Sequence, residues 1–176
     1  MRETTDGPCG DEQNPGRKRL TGLNPFSGEI FQMLTAPDIA LVRLSFARIV
    51  PIKETVADLF YERLFQVAPD VRVLFPPDLR EQKRKLMTMI ATAVGALNDL
   101  PGLVPAVMDL GARHHGYGAT AAHYKVVGEV LLWTLENALR ADFTPDIRAA
   151  WTKVYGVLAA TMQAGAAEAA VVRAAE

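Results

Sequence analysis

The chain has 176 residues, of which 49% are hydrophobic and 22% charged, and its formal net charge is -1. That length suits one domain with a sizeable buried core, and the charge balance offers no field for gathering nucleic acid and no polybasic run for a membrane surface. Cys9, the single cysteine, excludes an internal disulfide and a thiolate metal cluster. No apolar run has the length of a membrane span, and the polar opening Met1–Pro8 lacks the apolar stretch of a secretory signal, so a cytoplasmic location is expected, with neither nucleic acid nor membrane as a partner.

Residues 1–36 mix Gly, Pro, Asn and charges without a period and read as a flexible N-terminal arm, although Phe26, Ile30, Phe31 and Leu34 offer apolar docking points. From Pro37 onward apolar residues recur at helical spacing and no long stretch alternates with period two, so the class is all-α. A first helix is expected from Pro37 to Val50, where Pro51 interrupts the ladder. A second follows over 53–68 and buries Val56, Leu59, Phe60, Leu64 and Val67. Pro69–Phe75 reads as a short helical turn that Pro76 and Pro77 stop, leaving Phe75 as a large ring beside a bend.

A long helix is expected over 78–98, basic at Lys83, Arg84 and Lys85, apolar through Leu86, Met89, Ile90, Ala93 and Leu97, and closed by Asn98 and Asp99. Pro101 and Pro105 bracket the start of a shorter helix that ends near His115, with Gly116 and Gly118 as the exit. Thr120 is the expected N-cap of the next helix, to about Ala141. Thr144, Pro145 and Asp146 combine a cap, a first-turn proline and an acid at the positive end of the last helix. Residues 37–165 thus read as one domain, and the Ala-rich 166–176 as an extension of the last helix.

One juxtaposition stands out in this series. His114 lies near the end of one helical segment and Tyr124, ten residues later, opens the next, which suits an iron centre held between helices. Taken alone, a histidine in an apolar-patterned helix is more often structural or solvated than a ligand. The methionines, Met89 and Met162 among them, read as core fillers.

The order and spacing of Leu59–Phe65, Pro69–Phe75, His114 through Tyr124 to Leu132, and Ala150–Gly156 resemble the globins, in particular bacterial single-domain haemoglobins, the globin part of flavohaemoglobins and neuroglobin-like bacterial globins. The resemblance implies a globin fold of about seven helices around a pocket for haem b (iron protoporphyrin IX), with His114 as the proximal ligand and His115, about 100° round the helix, turned elsewhere. It implies further that Phe75 wedges against the haem, that Val127 and Tyr124 belong to the cofactor's surroundings, and that Lys85 and Arg113 meet its propionates. Tyr61, Gln82 and Leu86 take the distal side, where a phenol and an amide can both donate to a bound gas. With glutamine at 82 in place of histidine, bis-histidine coordination is not expected.

In flavohaemoglobins and their single-domain relatives a tyrosine matching Tyr124 joins the proximal histidine and a glutamate of the last helix. Here that glutamate position falls on Ala166, with Glu168 facing elsewhere, which argues against a strong electronic push from the proximal side. The function so implied is reversible binding of dioxygen, nitric oxide and carbon monoxide by a monomer or weak homodimer. Nitric oxide dioxygenase activity would draw on an external reductase, since the remaining residues leave no room for a flavin or nicotinamide domain. The alternative is a gas-sensing globin acting through a partner protein.

Overall fold

A computed structural model describes residues 34–174, so the arm expected over 1–36 falls almost wholly outside the described residues. Those residues form six α-helices: α1 Ala36–Ile49, α2 Lys53–Val67, α3 Arg80–Gly95, α4 Leu100–Gly116, α5 Ala121–Leu139 and α6 Pro145–Ala174. Three short 3-10 segments, Val50–Ile52, Pro69–Leu74 and Arg140–Asp142, turn the corners. The fold is all-α, and the segment 69–74, expected as a short helical turn, is one of these tighter 3-10 stretches.

Local chemistry explains most boundaries. At the start of α1 the Thr35 amide and hydroxyl donate to Asp38 Oδ2 at 2.9 and 2.7 Å, while the Asp38 amide returns to the Thr35 hydroxyl at 3.4 Å. Pro51, with no N–H, stops α1 and tightens the chain into the first 3-10 turn. The helix expected over 78–98 is shorter, because residues 96–98 form a turn. Asp99 does not close it; its carboxylate instead accepts from the Gly102 amide at 3.1 Å and caps α4. At α5 the Thr120 amide donates to His123 Nδ1 at 3.2 Å, and at α6 the Thr144 hydroxyl accepts from the Ile147 amide at 3.3 Å.

The core joins α1, α2, α3, α5 and α6 through Val42, Ile49, Phe60, Leu64, Val94, Leu135, Trp151 and Val154. Within it the Trp151 indole donates to the Ser45 hydroxyl at 2.9 Å, so the one polar edge of a large buried ring is satisfied across the α1–α6 contact. A second tie joins the same helices: Lys153 Nζ lies 3.0 and 2.9 Å from the two Asp38 oxygens. The Thr35 amide first, then Lys153 and the Thr35 hydroxyl, hold the Asp38 carboxyl at about 2, below its ordinary 3.8. With the folded value below the unfolded one, the unfolded chain takes up the proton first. This contribution to stability is therefore complete above about pH 3.8 and lost as pH falls towards 2. Acid unfolding followed by circular dichroism should show a shallower loss of stability over that window in Asp38→Asn than in the parent chain.

α4 and α6 run side by side in the same direction, Gly111 against Met162 and Gly116 beside Arg173. The approach is backbone to backbone: a Cβ on Gly111 would run into the carbonyl oxygen of Met162, and one on Gly165 into that of Met108. Neither obstacle is a flexible side chain that can swing away, so the helices would have to part. Gly111→Ala should therefore cost about 1–3 kcal/mol, read as a lower urea midpoint, although alanine is the better helix former.

Candidate functional site

A cavity of about 160 Å3 lies among α2 to α6, bounded by Phe60 from α2, Leu86 from α3, Leu110 from α4, Val127 and Leu131 from α5, and Leu158 from α6 among others. Its wall is almost entirely apolar. The sequence-derived residues Leu86 and Val127 therefore share one space, together with Leu110, which sequence reasoning passed over.

His114 follows Leu110 by one helical turn, and Gln82 precedes Leu86 by one turn, so each continues the helix face that carries a lining residue, while His114, Gln82, Tyr61, Phe75 and Tyr124 are not themselves part of the cavity lining. The half-buried His114 ring has its Nδ1 2.8 Å from the Leu110 carbonyl oxygen. A carbonyl can only accept, so Nδ1 carries the proton and donates. The Nε2 lone pair is then left available as a donor to a metal. The i−4 spacing of Leu110 and His114 is present in the sequence, but the bond itself forms only in the folded helix.

On the far side of the His114 ring lies Tyr124, with ring centroids 6.4 Å apart. Its hydroxyl is buried without a hydrogen-bond partner, and burial pushes the phenol's pKa up, towards the neutral form. The Tyr155 hydroxyl donates to the Tyr124 carbonyl, and the Tyr155 ring lies where a Cβ on Gly128 would stand, which holds the first turn of α5 against α6. Ala166 is half-buried and Glu168 exposed, so the helix that passes nearest offers the Tyr124 phenol no carboxylate at either position.

Tyr61, only 3% exposed, sits among three rings, its centroid 5.2 Å from Phe60, 5.9 Å from Phe65 and 5.6 Å from Phe75. Its hydroxyl reaches α3, donating at 3.5 Å to the main-chain carbonyl of Gln82. That distance is at the limit of a hydrogen bond. Burial pushes the phenol up to about 12, with the Gln82 side chain opposing part of the rise. Tyr61, Phe75, Gln82 and Leu86 are thus gathered along α2, the 69–75 corner and the first turns of α3. The two basic residues sit outside this group: Lys85 lies 3.9 Å from Glu81 and Arg113 3.1 Å from Asp109, both exposed.

Helices around an apolar cavity, with the His114 imidazole one turn from its α4 lining and the Gln82 amide one turn from its α3 lining, define a domain of the globin type. A model of the globin family matches residues 58–162, and the chain belongs to that family. It is 32% identical over 131 residues to a flavohemoprotein of Bacillus subtilis (strain 168), covering 72% of this chain and 33% of that protein. The chain therefore spans about a third of that relative's length. A neuroglobin of Chaenocephalus aceratus is 29% identical over 148 residues, 76% of this chain and 93% of its own. Among solved structures, an engineered carbene transferase of Rhodothermus marinus, assigned as a nitric oxide dioxygenase, superposes with a TM-score of 0.73 at 25% identity, covering 80% of this chain and 99% of that one. Among the described residues no helix is long and apolar enough to cross a membrane.

Proposed function

We propose that this chain binds haem b through His114 and takes dioxygen and other diatomic gases on the opposite face, beside Tyr61, Gln82 and Leu86. The observation that carries the reading is the Nδ1 to Leu110 carbonyl bond at 2.8 Å, which commits the imidazole to the tautomer with a free Nε2. The donor set fits this group. Among the described residues no three His, Cys, Asp or Glu side chains gather to hold a bare metal ion, whereas a lone imidazole suits an iron that brings its own equatorial ring. The largely apolar cavity beside it suits the porphyrin's hydrocarbon body.

Haem held by His114 would supply an iron able to take a diatomic gas. The chain's own residues do the rest. His114 holds the proximal side, and Leu86 with the cavity wall excludes water. Tyr61 keeps its proton and can trade its long bond to the Gln82 carbonyl for a partially negative gas ligand. The Gln82 amide supplies a second donor. Lys85 and Arg113 meet the propionates, leaving surface pairs whose loss costs little.

The likeness to a flavohemoprotein and to a protein assigned as a nitric oxide dioxygenase supports oxidation of nitric oxide to nitrate by dioxygen, which supplies both added oxygen atoms, with one electron per nitrate from a separate reductase. The Tyr124 hydroxyl, lacking a carboxylate partner, leaves His114 without an added electronic push, which favours gas binding over peroxide-type activation. Reduced, air-equilibrated protein mixed rapidly with nitric oxide should yield stoichiometric nitrate. Nitric oxide binding without nitrate would instead support the gas-sensing role.

A further inference from the structure

Arg72 lies in the 3-10 segment Pro69–Leu74, on no wall of the cavity, and has no carboxylate partner among the described ion pairs. Its guanidinium instead spans the corner that follows. Nη1 donates to the carbonyls of Phe75 and Pro76, both at 3.0 Å, and Nη2 to that of Pro77 at 3.1 Å. The Phe75 amide donates back to the Arg72 carbonyl at 3.2 Å. Pro76 and Pro77 have no N–H and cannot build a helical ladder of their own, so the planar fork of one arginine does what main-chain bonding cannot. The same guanidinium stacks 5.1 Å from the Phe65 ring centroid.

Phe65 in turn stands 5.6 Å from Phe75 and 5.9 Å from Tyr61, and Phe75 stands 5.6 Å from Tyr61. The three rings form a closed triangle, and the guanidinium grips two of its corners: the face of Phe65 and the backbone of Phe75. Tyr61 is the third corner. Its hydroxyl has the 3.5 Å contact to the Gln82 carbonyl to hold its direction, so its aim depends on the rings that flank it, Phe65 and Phe75 together with Phe60 on the same helix.

We propose that Arg72 is a positioning residue for the Tyr61 hydroxyl, acting through Phe65 and Phe75 to fix the direction in which that donor meets the gas ligand. The inference rests on the distal role given to Tyr61 above, and it adds a residue that touches neither gas nor cofactor. Lysine can replace arginine only in part here, since a single ammonium point keeps the charge near the Phe65 ring but cannot span three successive carbonyls. The corner keeps its two prolines in any Arg72 variant, so the fold has a second support.

The test is a double-mutant cycle of Arg72→Gln and Tyr61→Phe on haem-loaded protein, with Arg72→Lys as the milder change. The readouts are the carbonyl stretching frequency of the ferrous carbon monoxide form and the dioxygen dissociation rate. Arg72→Gln should shift the stretching band part of the way towards that of Tyr61→Phe and raise the dissociation rate roughly 3- to 10-fold, the consequence of a weakened charge-assisted donor. Arg72→Lys should do the same to a smaller extent. In the Tyr61→Phe background, Arg72→Gln should change neither readout. If Tyr61→Phe moves both readouts and neither Arg72 variant does, or if Arg72→Gln acts equally with and without the phenol, the positioning role is overturned while the distal role of Tyr61 stands. If Tyr61→Phe itself moves neither, the distal assignment fails and this proposal with it.

Discussion

His114→Gly should strip the chain of tightly held haem. The imidazole is a donor on α4 whose tautomer leaves an unprotonated nitrogen: Nδ1 donates to Leu110 and Nε2 is free. Altering merely an outer partner of a metal-bound imidazole changes affinity roughly 10- to 100-fold, so removing the ring should lower haem retention by more than that. Transfer of haem to an apoprotein acceptor measures this directly. Millimolar imidazole added to the glycine variant should restore binding, because the cavity wall and Phe75 remain. His115→Gly in the same assay should retain haem. If the two variants behave alike, the assignment of the ligand to His114 is wrong.

The second large effect belongs to Tyr61→Phe, which removes one oxygen atom from a residue that is 3% exposed and leaves its packing against Phe60, Phe65 and Phe75 in place. A hydrogen bond to a charged acceptor contributes about 1.5–3 kcal/mol, and about 1.4 kcal/mol is tenfold. The dioxygen dissociation rate should therefore rise about 10- to 100-fold, by stopped-flow displacement with carbon monoxide. The sign of the pH dependence follows from burial. Since the phenol is pushed up to about 12, it remains a donor throughout the neutral and mildly alkaline range, and the slow rate should stay flat there. The bond that Tyr61 gives up to the Gln82 carbonyl is long, so little is lost in the exchange. An unchanged rate in Tyr61→Phe would mean that the hydroxyl does not face the ligand.

Much of this arrangement is readable from the residues. Helical periodicity after Pro37, the prolines at 51, 69, 76 and 145, and the caps at Thr120 and Thr144 locate the elements because each rests on local chemistry: a missing N–H, or a side-chain oxygen within reach of a free amide. The errors arise where two local signals compete. Asp99 looks like the end of one helix and is the cap of the next, since its carboxylate finds the Gly102 amide rather than a preceding turn.

What stays hidden is non-local. Gly111 and Gly165 lie 54 positions apart, and only the approach of each to the backbone of the other helix, at Met162 and Met108, shows why neither carries a side chain. Arg72 reads as a surface charge until the three carbonyls it bridges are brought to one side of the corner. Lys153 and Asp38 are 115 residues apart, and nothing in either neighbourhood announces the pair. At the site, the spacing from His114 to Tyr124 and the globin resemblance point to iron and to a Tyr124 phenol without a carboxylate partner. The choice between the nitrogens of His114 required the Leu110 carbonyl, which is a property of the folded helix.

In the proposed function a single imidazole, that of His114, holds haem while the opposite face stays open to gas. The absorption spectrum of the purified chain after haem supplementation tests this, recorded in the ferric, ferrous and ferrous carbon monoxide states. Haem should bind stoichiometrically, with an intense Soret band, a single broad visible band of five-coordinate ferrous iron, and a sharp Soret shift on adding carbon monoxide. A chain that takes up no haem, or a ferrous form whose visible bands are split by a second protein ligand, would overturn the role given to His114.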